Sequence, residues 1–237
     1  MKNWVVISKP IKESAKGLAK YLSYLTSPNH QNHKNKTNII PLFGNNQNLY
    51  KRIIFSVADK ELKTAKKRKG GRPISSFAQS YVFILPEGIG TKPTKQEWSY
   101  IAKELIHTLI FFTGSSKEDI AKHIFINIHD QKNPHLNLVV SKIINGDVKT
   151  ELQKKSIVTA LKKTFNYAVL NRLKISPSDY QPQTKRNKRY NSDYYHKNDQ
   201  LINHINRIDE PTPEEKILFK DTSKLNRPNP SLGRKFN

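Results

Sequence analysis

The chain has 237 residues, enough for one moderate domain with an appendage or for two small domains. Its 42 lysine and arginine residues stand against 19 aspartate and glutamate residues, which gives a formal net charge of +23. The absence of cysteine excludes a disulfide scaffold, a thiolate zinc site and a cysteine nucleophile. Because the apolar runs are far shorter than a membrane span or a signal peptide, we expect a cytoplasmic protein that binds a polyanion.

Most of the positive charge lies in the part of the sequence with regular hydrophobic patterns. Residues 1–174 contain 30 basic and 11 acidic residues, whereas residues 175–237 contain 12 and 8. A basic folded surface favours a nucleic-acid groove over a simple electrostatic tether. Solubility, or a compositional bias towards lysine, is the alternative explanation of this charge.

The first third of the chain alternates between strand-like and helix-like segments. The β-branched run at Trp4–Ser8 predicts a first strand, which Lys9 and Pro10 would end. Apolar residues at helical spacing predict a helix over Glu13–Leu25. A polar loop with two histidines follows, Ile53–Val57 is a weak strand candidate, and a strongly basic segment extends from residue 60 to residue 72.

The middle of the chain contains the clearest patterns. Alternating apolar residues predict a strand over Gln79–Leu85, and a buried stripe behind a capping threonine predicts a helix over Thr94–Thr113. Two strands in quick succession are predicted over Ile124–His129 and His135–Ile143, followed by a helix over Ser156–Leu173.

These elements predict an α+β fold in which helices pack on a largely antiparallel central sheet. Strands and helices are interleaved, and neighbouring strands are close enough in sequence to pair. From residue 176 the patterns fade and prolines become frequent. We therefore expect a domain over residues 1–175 and an extended, basic C-terminal tail over residues 176–237, partly helical or disordered.

The candidate chemistry lies where the two adjacent strands meet. His135 and Asn137 are two residues apart on one strand, so their side chains share a face. A tight turn at Asn133-Pro134 would bring His129 beside them. Two imidazoles and an amide oxygen suit a divalent cation, Mn²⁺ or Mg²⁺, with Zn²⁺ or Ni²⁺ also accepted by imidazole. The alternative is that these are ordinary polar residues near a turn, with Asn137 bonded to backbone.

This stretch resembles the metal motif of plasmid mobilisation relaxases, which are MobA-like members of the HUH endonuclease superfamily. In their pattern a first histidine precedes a turn that often contains Asn-Pro, and a His-x-His follows inside an apolar strand. His129, Asn133-Pro134 and His135 match that pattern. Asn137 departs from it, because it stands where the family usually has its third histidine.

A second resemblance lies in the first predicted helix. These relaxases carry a nucleophilic tyrosine near the N-terminus, usually followed by Leu or Ile and then Ser or Thr. Tyr21 and Tyr24 both have this context. They lie about 60° apart around a helix, so only one can face the metal. The distance from the first strand to Tyr21 resembles the spacing in these relaxases, and the resemblance therefore favours Tyr21.

The resemblance implies an enzyme that nicks single-stranded DNA at a plasmid transfer origin. The tyrosine would attack a phosphodiester and form a 5′-phosphotyrosine adduct, with the metal held by His129, His135 and Asn137. Asp130 would accept the N–H of a ligand histidine or accept a proton, although it is equally suited to be a plain turn residue. Accessory mobilisation proteins are the further partners implied, and no phosphate-binding loop predicts a nucleotide cofactor.

Two groups of basic residues are candidates for gripping the DNA backbone. The first is the basic segment in the domain and the second lies among tyrosines in the tail: Lys66, Lys67, Arg68, Lys69 and Arg72; Lys185, Arg186, Lys188 and Arg189. For both groups the alternative is a solvated, unstructured segment.

Other functions remain open at this point. A rolling-circle replication initiator would use the same chemistry with a tyrosine after the metal motif, Tyr167 or Tyr180. A non-catalytic DNA-binding protein on a degenerate HUH fold would explain Asn137. An RNA-binding protein would explain the charge but not the histidines.

Overall fold

The computed structural model describes residues 4–12, 14–66, 74–86, 89–176 and 178. Five strands form one antiparallel sheet in the order β1-β3-β5-β4-β2, and a two-stranded ribbon follows it. The strands are β1 (Val5–Ile11), β2 (Asn38–Phe43), β3 (Ala78–Ile84), β4 (Ile124–Asp130), β5 (His135–Ser141), β6 (Ile143–Ile144) and β7 (Asp147–Val148). This arrangement confirms the predicted α+β fold with its antiparallel sheet.

The helices in the described part of the chain lie on both faces of the sheet. They are α1 (Ser14–Thr26), α2 (Asn46–Lys66), α3 (Lys95–Thr113), α4 (Lys117–Lys122) and α5 (Lys155–Arg172), with a short 3-10 helix at Thr150–Gln153. None of these helices has the length and apolar character needed to cross a membrane. The predicted tail, apart from residues 176 and 178, lies outside the described residues.

The first face of the sheet packs against α3 and α5. Tyr81 and Phe83 of β3 are fully buried in this core. Phe165 of α5 lies at its centre, with its ring 5.3 Å from that of Phe83 and 5.7 Å from that of Trp4. The core therefore joins β1, β3 and α5, and it fixes the sheet from the side away from the histidines.

The second face, which we call the site face, is covered by α1 and α2 only at one end. Side chains alternate across a sheet, so the residues that alternate with those of the first core point to the site face. Three rows of site-face residues run across β1, β3, β5 and β4 in register. They are Lys9–Ser80–Val139–Phe125, Ile7–Val82–Asn137–Asn127 and Val5–Ile84–His135–His129.

Several elements form where the sequence predicts them. Helix α1 begins within a residue of the predicted start, and β3 differs by one residue. Thr94 caps α3, forms a capping box with Glu97, and Gly114 ends the helix with φ 61°. Strand β1 continues through Pro10 instead of ending there, because an edge strand tolerates a residue without an N–H.

The strand predicted at Ile53–Val57 is wrong. These residues belong to α2, where Leu49, Ile53 and Val57 are four apart and buried on one side. The helical period of the whole segment outweighs the local β preference of its branched residues. The basic segment therefore begins as the last turns of a helix, and Lys66 is exposed at the end of α2.

Gly44 is the glycine on which the packing of β2 depends most. Its φ is +75°, and a Cβ there would overlap the carbonyl oxygen of Ile124. We expect Gly44→Ala to lower the free energy of unfolding by about 3 kcal/mol, since a left-handed residue and an overlap with backbone both add cost. Gly90 is the matched control: its φ is +74°, but nothing lies near its Cβ position. Urea unfolding that shows equal losses for Gly44→Ala and Gly90→Ala would contradict the overlap.

Candidate functional site

Three histidines meet on the site face, and we call His33, His129 and His135 the histidine cluster. His129 and His135 are paired across β4 and β5, with ring centroids 5.0 Å apart. His33 comes from the loop between α1 and β2, and its ring lies 4.5 Å from that of His129. The structure therefore brings together the two histidines of the predicted metal motif and adds a third that sequence spacing did not connect to them.

Each imidazole of the cluster uses one ring nitrogen to bond a backbone carbonyl. The pairs are His33 Nδ1 to Ser27 at 2.8 Å, His129 Nε2 to Leu25 at 3.0 Å and His135 Nδ1 to Asn133 at 3.3 Å. Because a carbonyl oxygen only accepts, the ring nitrogen donates in each pair, which leaves the other nitrogen of a neutral ring as an acceptor. Metal-ligating histidines are oriented in this way by their second nitrogen.

The second ring nitrogen of His33, Nε2, is buried without a hydrogen bond to any described residue. His33 as a whole is 2% exposed. Burying an unpaired polar atom is costly, so such an atom points to a missing partner. The donor chemistry of the cluster thus fits a divalent cation. Within the described ranges no three His, Cys, Asp or Glu side chains meet metal-site geometry, so binding requires the free nitrogens to converge.

Burial favours the neutral forms of the two strand histidines, His129 and His135. It lowers the pKa of His129 to about 4, with smaller contributions in the same direction from His135 and His33, while the bond to Leu25 opposes the shift. Burial also lowers the pKa of His135. Neutral imidazole is the form that binds a cation, so the lowered pKa values of His129 and His135 favour their ligating form.

We expect the metal-free protein to lose stability as the pH falls from about 6.5 to about 4. In this window His129 of the unfolded chain takes up a proton that the folded protein excludes, so acid favours unfolding. Urea unfolding in EDTA at several pH values measures the slope. The variant His129→Asn should show a shallower slope over the same window, and equal slopes for both proteins would contradict the assignment.

Asn137, the third ligand predicted from the sequence, is bonded to a second asparagine, and its role as a metal ligand stays a prediction. Its amide nitrogen donates to Oδ1 of Asn127 at 3.2 Å, one row inwards from the histidines. Asn127 in turn donates to the carbonyl of Leu25, which also accepts from His129. The two asparagines therefore tie the end of α1 to the sheet, and sequence reasoning did not identify Asn127.

Asp130 is also placed away from the cluster. It follows His129 in β4, so its side chain leaves the strand on the other face. Its Oδ1 accepts from Lys92 Nζ at 2.9 Å, and the same amine bonds the carbonyl of Gln131. The prediction that Asp130 accepts the N–H of a ligand histidine is not met, because backbone carbonyls accept from the imidazoles instead.

The two tyrosines of α1 have different neighbours. The ring of Tyr24 lies 4.6 Å from that of His33 and 5.9 Å from that of His129. The hydroxyl of Tyr21 is 2.6 Å from Ser80 Oγ, one row further from the histidines. Burial raises the pKa of Tyr21, and the bond to Ser80 partly offsets this. The structure thus places Tyr24, not the tyrosine favoured by spacing, beside the cluster.

A cleft of about 880 Å³ opens next to Tyr24, on the side of β1 and β3. Its wall includes both tyrosines and His30, whose ring is 4.9 Å from that of Tyr24. Lysines stand around it: Lys9, Lys12 and Lys20. These three lysines make the cleft positively charged beside the site. The sequence prediction assigned DNA binding to other basic residues.

Most of the remaining predicted residues are outside the part of the chain that the structure describes. Lys67, Arg68, Lys69, Arg72 and the four tail residues Lys185, Arg186, Lys188 and Arg189 fall outside the described residues, as does Tyr180. Tyr167 is 69% exposed on α5, which packs on the opposite face of the sheet from the cluster. Its position argues against a replication initiator with that nucleophile.

Comparisons with known proteins give matches among solved structures alone. No family model matches the chain, and no curated protein matches its sequence. The Mn-bound MobM relaxase domain with 22-nucleotide pMV158 oriT DNA carrying a 3′ thiophosphate is 10% identical, with a TM-score of 0.48, over 81% of this chain and 97% of that one. The same domain with 26-nucleotide DNA gives 12% identity and a TM-score of 0.46, over 81% and 98%. The chain is thus similar in structure to these two forms of the MobM relaxase domain, at a sequence identity of 10–12%.

Proposed function

We propose that this chain is a DNA relaxase, which nicks single-stranded DNA at a plasmid transfer origin with Tyr24 as the nucleophile. The observation that carries the proposal is the ring of Tyr24 packed against the buried imidazoles of His33 and His129 beside a basic cleft. A phosphodiester lying in the cleft would meet the tyrosine hydroxyl and the histidine cluster together. Such an enzyme would work in the cytoplasm with accessory mobilisation proteins.

The reaction is a transesterification. The phenolic oxygen of Tyr24 forms a bond to phosphorus, the bond from phosphorus to the 3′ oxygen breaks, and that oxygen leaves as a 3′-hydroxyl after taking a proton. A phenol is a weak acid, so the hydroxyl proton must leave during attack. The adduct keeps one phosphodiester for one broken, so religation requires no nucleotide cofactor.

His33, His129 and His135 are the residues we propose as ligands of a divalent cation. Three imidazoles suit Mn²⁺, Zn²⁺ or Ni²⁺ better than Mg²⁺, which prefers oxygen ligands. When bound, the cation would neutralise the charge that grows on the non-bridging phosphate oxygens. The protein itself orients the rings through the carbonyls of Leu25, Ser27 and Asn133. It holds Tyr24 against His33 and His129.

The test is covalent adduct formation. The full chain is incubated with a single-stranded transfer-origin oligonucleotide and Mn²⁺, and the products are separated under denaturing conditions. A band that carries both protein and DNA supports the proposal. DNA binding without an adduct under any of Mn²⁺, Mg²⁺, Zn²⁺ or Ni²⁺ supports a non-catalytic DNA-binding protein instead.

A further inference from the structure

The cleft beside Tyr24 has an apolar floor. Ile7 of β1 and Val82 of β3 are paired in one row, and Ser80 lies in the next. Ile7 is 37% exposed, and Val5 on the same side of the edge strand is 42% exposed. Such neighbouring branched side chains open to solvent mark a binding surface more often than a random feature of a protein surface.

This floor is continuous with the histidine cluster. The row that begins at Val5 passes through Ile84 and ends at His135 and His129. On the other side of the cluster, Asn127 is bonded to the carbonyl of Leu25 in the last turn of α1. A DNA strand held at Tyr24 can therefore follow the cleft towards β1.

The polar groups of the cleft are positive or neutral. Lys9, Lys12 and Lys20 stand among its lining residues, and no carboxylate is among the described ones. The bonded pair of Tyr21 and Ser80 hydroxyls lies at the floor. Because one hydroxyl donates to the other, a second hydrogen remains available to a ligand.

We propose that this cleft seats one unstacked nucleobase of the DNA strand, next to the phosphate that Tyr24 attacks; the proposal rests on the proposed function. The base would lie on Ile7 and Val82 against the Tyr21 ring. The Tyr21–Ser80 pair would meet its edge, and the lysines its flanking phosphate. The apolar floor matches the face of a base, and the hydroxyl pair matches the polar edge of that base. The lysines match its phosphate. A base within a duplex has no free face to offer, so the seat selects single strands.

The experiment compares a DNA strand with a strand that has phosphates but no bases. The full chain is titrated in EDTA with fluorescein-labelled (dT)12 and with a labelled abasic chain of equal length. Wild-type protein should bind (dT)12 about tenfold more tightly, a ratio typical of one stacked base. Equal affinities would overturn the proposal.

Two matched variants locate the effect. Ile7→Asp puts a carboxylate on the floor, whereas Phe111→Asp adds the same charge at a residue that is 82% exposed on α3, on the opposite face. We expect Ile7→Asp to bring the ratio close to one and Phe111→Asp to leave it unchanged. A charge effect alone would weaken both probes equally and preserve the ratio, which would overturn the proposal.

Two further measurements keep the test decisive. Circular dichroism checks the fold of Ile7→Asp, and Ile7→Ser, with a milder change at the same position, replaces it if it unfolds. Because binding is measured without metal or nicking, the test is independent of the chemistry. An intact ratio with no adduct would reject the proposed reaction alone, whereas an adduct without a cleft-dependent ratio would reject the seat alone.

Discussion

Tyr24→Phe is expected to abolish the covalent protein–DNA adduct, whereas Tyr21→Phe retains it. Phenylalanine preserves the ring contacts with His33 and His129 but lacks the oxygen that attacks phosphorus. The Tyr21 hydroxyl is occupied by Ser80 at 2.6 Å and sits in an environment that raises its pKa. Both features make it the poorer nucleophile.

The measurement is the adduct band after incubation with a single-stranded transfer-origin oligonucleotide and Mn²⁺. The two variants serve as controls for each other, because each removes one hydroxyl from the same helix. Fluorescence anisotropy in EDTA should show that both still bind the oligonucleotide. Loss of the adduct in Tyr21→Phe with full activity in Tyr24→Phe would contradict the assignment and restore the preference based on sequence spacing.

His33→Ala is expected to weaken Mn²⁺ binding by at least about 100-fold, a loss at the upper end of that seen for groups that merely support ligands. The buried Nε2 of His33 has no partner in the described structure, so a cation is the partner we assign to it. Calorimetric titration with Mn²⁺ at pH 7.5 measures the affinity directly. The adduct yield should fall in parallel.

His30→Ala is the matched control for this experiment. His30 lies three residues earlier in the same loop, and its ring is 5.4 Å from that of His33. Its Nδ1 already accepts from the backbone N–H of Asn32, so we expect Mn²⁺ binding to change little. If wild-type protein binds no Mn²⁺, or if the two variants behave alike, the proposed ligand set is wrong.

The fold was predictable where local patterns agree with the final packing. The stripe of α3 and its capping box can be read directly, and so can the paired strands at His129 and His135. Strand β2 was missed because it contains Pro41 and lies at an edge, where few side chains are buried. Its place is set by pairing with β4, which a local pattern does not contain.

The site was half predictable for a similar reason. His129 and His135 are six residues apart, so a hairpin was enough to bring them together. His33 is far from both in sequence, and only the course of the loop after α1 places it there. Asn137 has the right spacing, but its partner across the strand pair is Asn127, which accepts a hydrogen bond from its amide nitrogen.

The carbonyl of Leu25 has a consequence for how DNA is engaged. It accepts hydrogen bonds from both Asn127 and His129, at the last turn of the helix that carries Tyr24. Lifting that helix would leave two interior donors without an acceptor, which opposes a large opening of the site. Under the proposed function, the nucleic acid would therefore have to distort to reach Tyr24, and we expect flexible sequences around the nick to be cleaved faster than stiff ones.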